Sequence, residues 1–323
     1  MMEDSELREL EAVSAGGRYH ELRARLRELP AALVGSRTRL GLLAAEAEGR
    51  LGDFVAAARW TDAALKLALV RGERHAELRA RNFQGTIALA RGAVADAERH
   101  FSAALDLARQ LDDRATEGRC LNNLGILANI RGDGTSALGR YRLALVAYQH
   151  AGLMRGLAET QHNIGITLRD QRDYRRALTA AEEAVRLAQS AGDERLATLA
   201  AVGRAEVHLL LGDADLAAVE LERAAATYAR LGFDAGMPEV LRLQAAVERV
   251  RGAIPEALRL LQQAADLATQ HASSDVMADI ERDLGAVLEA SGDAVGARAA
   301  RERAAALYRR LGAVRSADAL TNM

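Results

Sequence analysis

The chain has 323 residues, half of them hydrophobic but only 3% aromatic, with three prolines; a large β-sandwich or barrel would draw on more aromatic and β-branched side chains. Ala, Leu, Arg and Glu dominate, so the chain reads as all-helical. Lys and Arg total 43 against 45 Asp and Glu, a net charge of −2, so a nucleic-acid surface would need strong segregation of basic residues, and few aromatics remain for base stacking. One cysteine, Cys120, excludes an internal disulfide framework and a zinc site built from several Cys ligands. No apolar run reaches the ~18 residues of a membrane span. The opening MMEDSELREL is acidic and lacks an apolar signal core. A cytoplasmic location is expected, with no membrane or direct nucleic-acid contact.

In chain order, residues 1–37 form a degenerate capping helix pair. Leu7, Leu10 and Val13 make one apolar stripe, and Gly17 and Tyr19 introduce a second helix ending near Pro30. Residues 38–317 follow as seven units of 40. Gly52, Gly92, Gly132, Gly212, Gly252 and Gly292 recur at that spacing, with Arg172 in the missing place. Five residues after each turn stands Ala57, Ala97, Ala137, Ala177, Ala217, Ala257 or Ala297. Seven later stands Ala64, Ala104, Ala144, Ala184, Ala224, Ala264 or Ala304. Seven before the turn is a small residue: Ala45, Gly85, Gly125, Gly165, Ala205, Ala245 or Gly285. A second turn series runs Gly72, Gly152, Gly192, Gly232 and Gly312, completed by Asp112 and Ala272.

Each unit predicts two antiparallel helices, in the third about 118–131 and 134–151. Gly132 can close the first helix in a left-handed conformation. Asp133 can cap the next, a device repeated at Asp53, Asp173, Asp213 and Asp293. Pro238 and Pro255 fall in first helical turns. Small residues at fixed positions let helix axes approach to roughly 8–10 Å. One pair cannot bury its own apolar face, so the units must stack. No separate second domain and no linker is expected. Beyond the repeats lies a tail, 318–323, and the C-terminal stretch GAVRSADALTNM begins a further amphipathic turn with Val314, Ala317 and Leu320, expected to cover the last pair.

The small residue, the Gly-Asp turn and the two later alanines resemble the tetratricopeptide repeat, most clearly in NNLGILANIRGDGTSALGRYRLAL and HNIGITLRDQRDYRRALTAAEEAV. The usual unit is about 34 residues; the 40-residue form is similar to repeats of kinesin light chains, the spindle adaptor LGN, Rap-type peptide-sensing regulators and MalT-like sensor regions. The resemblance implies a right-handed superhelical solenoid of about eight helix pairs, whose first helices line a concave groove for a peptide or a partner's helix. It further implies that asparagines just before the small residue bind the ligand backbone. Asn123 and Asn163 match that place, and Asn82 and Asn122 lie one residue earlier in their units.

Arg39, Arg79 and Arg119 also recur at 40. Arg79 and Asn82 share a helix face, as do Arg119 and Asn122. Stacking makes them a ladder of donors suited to carboxylates or exposed backbone; the alternative is a solvated face with internal salt bridges. In the fourth unit His162 and Arg169 fall on the groove side with Asn163, and Glu159 offers a local partner. His162 either tunes binding with pH or is a plain polar groove residue. Arg242, Arg249 and Arg282, interleaved with Glu239, Asp279, Asp283 and Glu289, are expected to neutralise one another. Cys120 is read as a structural thiol and Trp60 as packed between helices.

The seven histidines are scattered, and no nucleophile-elbow, dinucleotide, phosphate-loop or zinc-protease motif occurs. The expectation is a non-enzymatic, peptide- or protein-binding scaffold or adaptor with no metal or cofactor. A peptide sensor controlling a separate effector, or an accessory subunit of a larger assembly, stays open. Solenoids often expose an apolar end, so a homodimer through a terminal unit is compatible with the pattern.

Overall fold

The computed structural model describes residues 4–15, 18–271 and 273–321. Every regular element among them is helical. They divide into two compact units, Met1–Leu127 and Ala128–Met323, and the division falls inside the helix Arg114–Ile130.

In Met1–Leu127 the helices Asp4–Ala15 and Tyr19–Glu28 bury Leu7, Leu10, Val13, Leu22 and Leu26 in one cluster, against which Trp60 packs. A short helix that the sequence reading lacked, Ala31–Ser36, follows Pro30. Two regular pairs come next, Thr38–Arg50 with Phe54–Arg71 and Arg74–Ala90 with Val94–Gln110. In Ala128–Met323, Gly134–His150 leads into Met154–Asp170 with Tyr174–Ser190, and Glu194–Leu210 with Ala214–Leu231. Met237–Val250 with Ile254–Gln270 and Ser274–Ala290 with Ala294–Arg310 complete the pairs, and Val314–Thr321 ends the described chain. First helices begin earlier than the 40-residue frame suggests: the third spans Arg114–Ile130 rather than 118–131. A 17-residue helix is about 25 Å long.

All fourteen register alanines are buried, none more than 3% exposed. The small residues Gly85, Gly165 and Gly285 of the first helices face the second helix of their own pair. The size at Gly85 matches what it meets: a Cβ there would sit 2.5 Å from the Phe101 ring, which fills that space and is fully buried. In the sixth pair Ala245 packs in one cluster with Leu261. Backbone and side chain therefore share a fixed volume.

The turns follow the expected pattern except for the missing cap at Asp213. Gly132 has φ 76°, and the Asp133 N–H reaches back to Ala128 O at 2.9 Å, closing the helix end. Asp112 and Arg172 adopt the same left-handed conformation at φ 52° and 61°, although their Cβ atoms disfavour it. Ala272 lies outside the described residues. Asp53, Asp133, Asp173 and Asp293 accept the N–H three residues on, and Asp113 does so too. Asp213 makes no such cap: its carboxylate turns back to lie 4.0 Å from His208 Nδ1.

Within each unit, neighbouring first helices approach one another closely: Thr38–Arg50 meets Arg74–Ala90, and Met154–Asp170, Glu194–Leu210, Met237–Val250 and Ser274–Ala290 meet in succession. Neighbouring second helices do not pack to that extent. The first helices therefore lie on the inside of the curve in each unit. Leu320 and Ala317 of the last helix pack on Ala304, Ala305 and Tyr308, whereas Val314 is exposed.

Ala177→Leu should overpack the inside of its pair and lower stability by about 1–3 kcal/mol. Arg172→Gly, which relieves a left-handed residue, should raise stability by up to about 1 kcal/mol once the flexibility gained by the unfolded chain is subtracted. Urea unfolding of both variants checks the register; a tolerated leucine would contradict it.

Candidate functional site on the first helices

In Met1–Leu127 the three arginines spaced at 40 have different surroundings. Arg39 forks onto Glu11 at 2.6 and 2.7 Å. Arg79 lies 3.9 Å from Glu46, which also accepts a hydrogen bond from Ser14 at 2.9 Å. Arg119 is exposed and has no ion-pair partner among the described residues. Asn82 accepts from the thiol of Cys120 on the neighbouring first helix, Sγ to Oδ1 3.7 Å. Cys120 is fully buried, and burial pushes its pKa up to about 12. That thiol is inert at neutral pH. Asn122 is buried at 7% exposure, while Asn123, about 100° further round the helix, is half-buried. The structure thus brings Arg79, Asn82, Arg119, Asn122 and Asn123 onto two adjacent first helices, with Arg119 and Asn123 the more accessible pair.

In Ala128–Met323 the first helices are laced together by charge. Asn129 donates to Asp170 at 3.1 Å, and Arg169 donates to Asp170 at 2.9 Å and to Glu206 on the next first helix. Arg242, only 2% exposed, sits at the centre. It forks onto Glu239 at 2.5 and 3.0 Å, donates to Asp283 at 2.6 Å and reaches Glu206 at 3.2 Å. Arg282 donates to Asp283 at 2.9 Å and Asp279 at 2.7 Å, and the Tyr308 hydroxyl donates to Asp279 at 2.5 Å. A buried guanidinium with three carboxylates around it donates from all three of its nitrogens, which burial of that charge demands.

His162 and Asn163 lie one to two turns before Arg169 on the same helix, both part-buried. The His162 ring packs over Gly203. His162, Arg169, Gly165 and Val207 border a cavity of about 10 Å³, room for no more than one water. Glu159 is not the partner of Arg169; it pairs with Arg155 at 3.0 Å, because ten residues along one helix is farther than the facing helix of the next pair. Arg249 stays outside the network, and Glu289 pairs with Arg301 instead. Sequence reasoning missed Glu206 and Tyr308. The available signal was spacing: Arg169 and Glu206 are 37 apart, Glu206 and Arg242 36, and Arg242 and Asp283 41, each within about four residues of the 40-residue period.

No protein-family model matches the chain, and no curated protein matches it. Solved structures do. A Rap protein complexed with Competence and Sporulation Factor aligns over 98% of this chain and 92% of its own, at 16% identity and TM-score 0.64. NprR in complex with its cognate peptide NprX aligns over 93% and 88%, at 16% identity and TM-score 0.61. A signal-transduction ATPase from Pyrococcus horikoshii with a tetratricopeptide repeat sensor covers 93% of this chain and 51% of its own, at 13% identity and TM-score 0.58. The fold is of the tetratricopeptide-repeat type. No described helix is long and apolar enough to cross a membrane.

In this tetratricopeptide-type stack three first-helix groups are shifted, His162 and Glu206 downward and Glu239 upward. Burial pushes His162 down to about 4, helped by Arg169. The folded ring is neutral where an unfolded histidine takes a proton near 6.5. Its stabilising contribution is full above that value and is lost as pH falls toward 4. Burial alone would raise Glu206, but Arg169 and Arg242 outweigh it and hold the carboxyl at about 2. That contribution is full above 4.5, the ordinary glutamate value, and is lost only between there and 2. Glu239 moves the other way: burial raises it, and Arg242 only partly offsets this. Between pH 7 and 4, wild-type stability should therefore fall by about 1–3 kcal/mol more than that of His162→Gln. Parallel urea-unfolding curves for the two proteins across that range would contradict the buried neutral ring.

Proposed function

We propose that the chain is a non-catalytic module that binds a peptide, or an extended segment of a partner protein, on the inner face of its first helices, and that it works through that partner as a scaffold or adaptor. The observation that carries this reading is the set of polar side chains on adjacent first helices of Met1–Leu127. Arg119 is exposed, Asn123 is half-buried, and Arg79 is held only at 3.9 Å from Glu46. A ligand carboxylate or backbone carbonyl can take these donors without breaking a tight internal pair. NprR, similar in fold, is held in a complex with its cognate peptide. The buried thiol of Cys120 offers no nucleophile.

A second reading is a peptide sensor that controls a separate effector. It is favoured by the charge network of Ala128–Met323, which ties successive first helices by side chains alone and can change register with curvature. An accessory subunit in a larger assembly has no specific support.

The test begins with mass spectrometry of peptides and proteins that co-purify with the chain. Against the identified partner, Asn123→Ala and Arg119→Ala should each weaken binding about tenfold, with melting temperatures close to wild type because both side chains stand outside the core. The Arg119 effect should shrink as salt rises. Unchanged affinity in both variants would move the binding surface off the first helices.

A further inference from the structure

The last helix, Val314–Thr321, touches two distant parts of its unit. On one side, Ala317 and Leu320 pack on the cluster that contains Tyr308. The Tyr308 hydroxyl donates to Asp279 and lies 3.3 Å from Arg282, so that cluster adjoins the end of the ion network. On the other side, Arg315 Nη1 donates to the carbonyl of Gly132 at 2.6 Å, across 183 residues. That separation fits no multiple of the repeat, so this bond is not a contact between neighbouring pairs.

The Gly132 carbonyl accepts from a side chain rather than from its own turn. In the equivalent turns at Gly52, Gly92, Gly252 and Gly292 the same oxygen accepts the N–H two residues on. At Gly132 it accepts the Arg315 guanidinium. The fit is close: a Cβ on Gly132 would fall against the Arg315 side chain. The Asp133 carboxylate stands beside the same arginine and feels its charge. One short helix thus grips the first turn of Ala128–Met323 and props Tyr308 at the far end of the inner-face network.

We infer that Val314–Thr321 is a latch: it holds the first helices of Ala128–Met323 in the curvature at which Arg169, Glu206, Arg242, Asp283 and Arg282 pair with one another, and a ligand reaches that inner face only when Arg315 leaves Gly132. The inference rests on the reading of the inner face as a binding surface and adds its regulation. The network satisfies its own charges. An incoming peptide must exchange its groups for pairs already made, and the pairs that cross between helices, Arg169–Glu206, Arg242–Glu206 and Arg242–Asp283, loosen when the curvature relaxes. A single exposed guanidinium bond is weak enough to open on binding and sufficient to bias the closed form.

The test compares wild type, Arg315→Ala and the control Arg310→Ala, an exposed arginine on the preceding helix, all checked for full helicity by circular dichroism. Hydrogen–deuterium exchange should quicken about fivefold in Arg315→Ala, both at 131–134 and in Met237–Val250 around Arg242, the change expected from loss of one hydrogen bond. Arg310→Ala should behave as wild type. Arg315→Glu, which sets a carboxylate beside Asp133, should exchange at least as fast as Arg315→Ala. Unchanged exchange, or a change confined to 314–321, overturns the latch. A pool of random-sequence heptapeptides, with capture read by mass spectrometry, examines the surface separately. More capture by Arg315→Ala than by wild type supports the gate, and equal capture despite quickened exchange overturns it. No capture by any of the proteins overturns the binding reading beneath, while the exchange result still decides the latch.

Discussion

The close approach of helices through alanine is the constraint on which the rest of the structure depends. Two alanines in every second helix and one small residue in every first helix are buried against neighbouring backbone. At Gly85 a methyl would run into the Phe101 ring, whereas at Gly165 it would make ordinary contacts, so the room left at each position depends on what faces it. Once that spacing is fixed, first helices of successive pairs come within side-chain reach of one another, and their inner surfaces can exchange hydrogen bonds. Asn82 with Cys120, Arg169 with Glu206 and Arg242 with Asp283 are consequences of this spacing. The left-handed turns serve the same end, since they return each helix antiparallel to its partner, and Asp112 and Arg172 tolerate the strain because the pair on either side over-determines them.

The two units use their inner faces differently. In Met1–Leu127 the face is lightly engaged, with one fork at Arg39 and Glu11, one long pair at Arg79, and Arg119 in solvent. In Ala128–Met323 it is occupied by the protein's own ions, around a guanidinium that is almost completely buried. Such a cluster is costly to desolvate and gains little net stability over an apolar core. Its value is specificity: it holds only when four first helices stand in one register. That makes it a device for setting curvature, and the last helix is placed to control it.

The fold was legible because its information is periodic. Fourteen alanines in register specify the pairs, and a glycine every 40 residues specifies where each first helix ends. Arg172 could be placed in a glycine position from spacing alone, and its φ of 61° agrees. The paired charges were only half legible. Arg242, Arg282, Glu239, Asp279 and Asp283 read as mutually neutralising from their proximity in sequence. Glu206 did not, since its partners lie 37 residues before and 36 after, on helices whose facing surfaces follow from packing geometry. The Arg315 bond to Gly132 had no signal at all, because it depends on the accumulated curvature of the whole unit. Asp213 shows the converse: its position predicts a cap, but its carboxylate makes none and lies 4.0 Å from His208 instead.

The central claim is that successive first helices of Ala128–Met323 face one another through a buried ion network. A double-mutant cycle on Arg242 and Asp283, using Arg242→Met, Asp283→Asn and the double variant, measures that contact in isolation from the rest. The two residues are 41 apart and meet only if the stack has this register. The account predicts that the single variants are each strongly destabilised and that the double variant loses less than their sum, with a coupling energy of about 1–3 kcal/mol. Additive losses would place Arg242 and Asp283 out of contact and contradict the network.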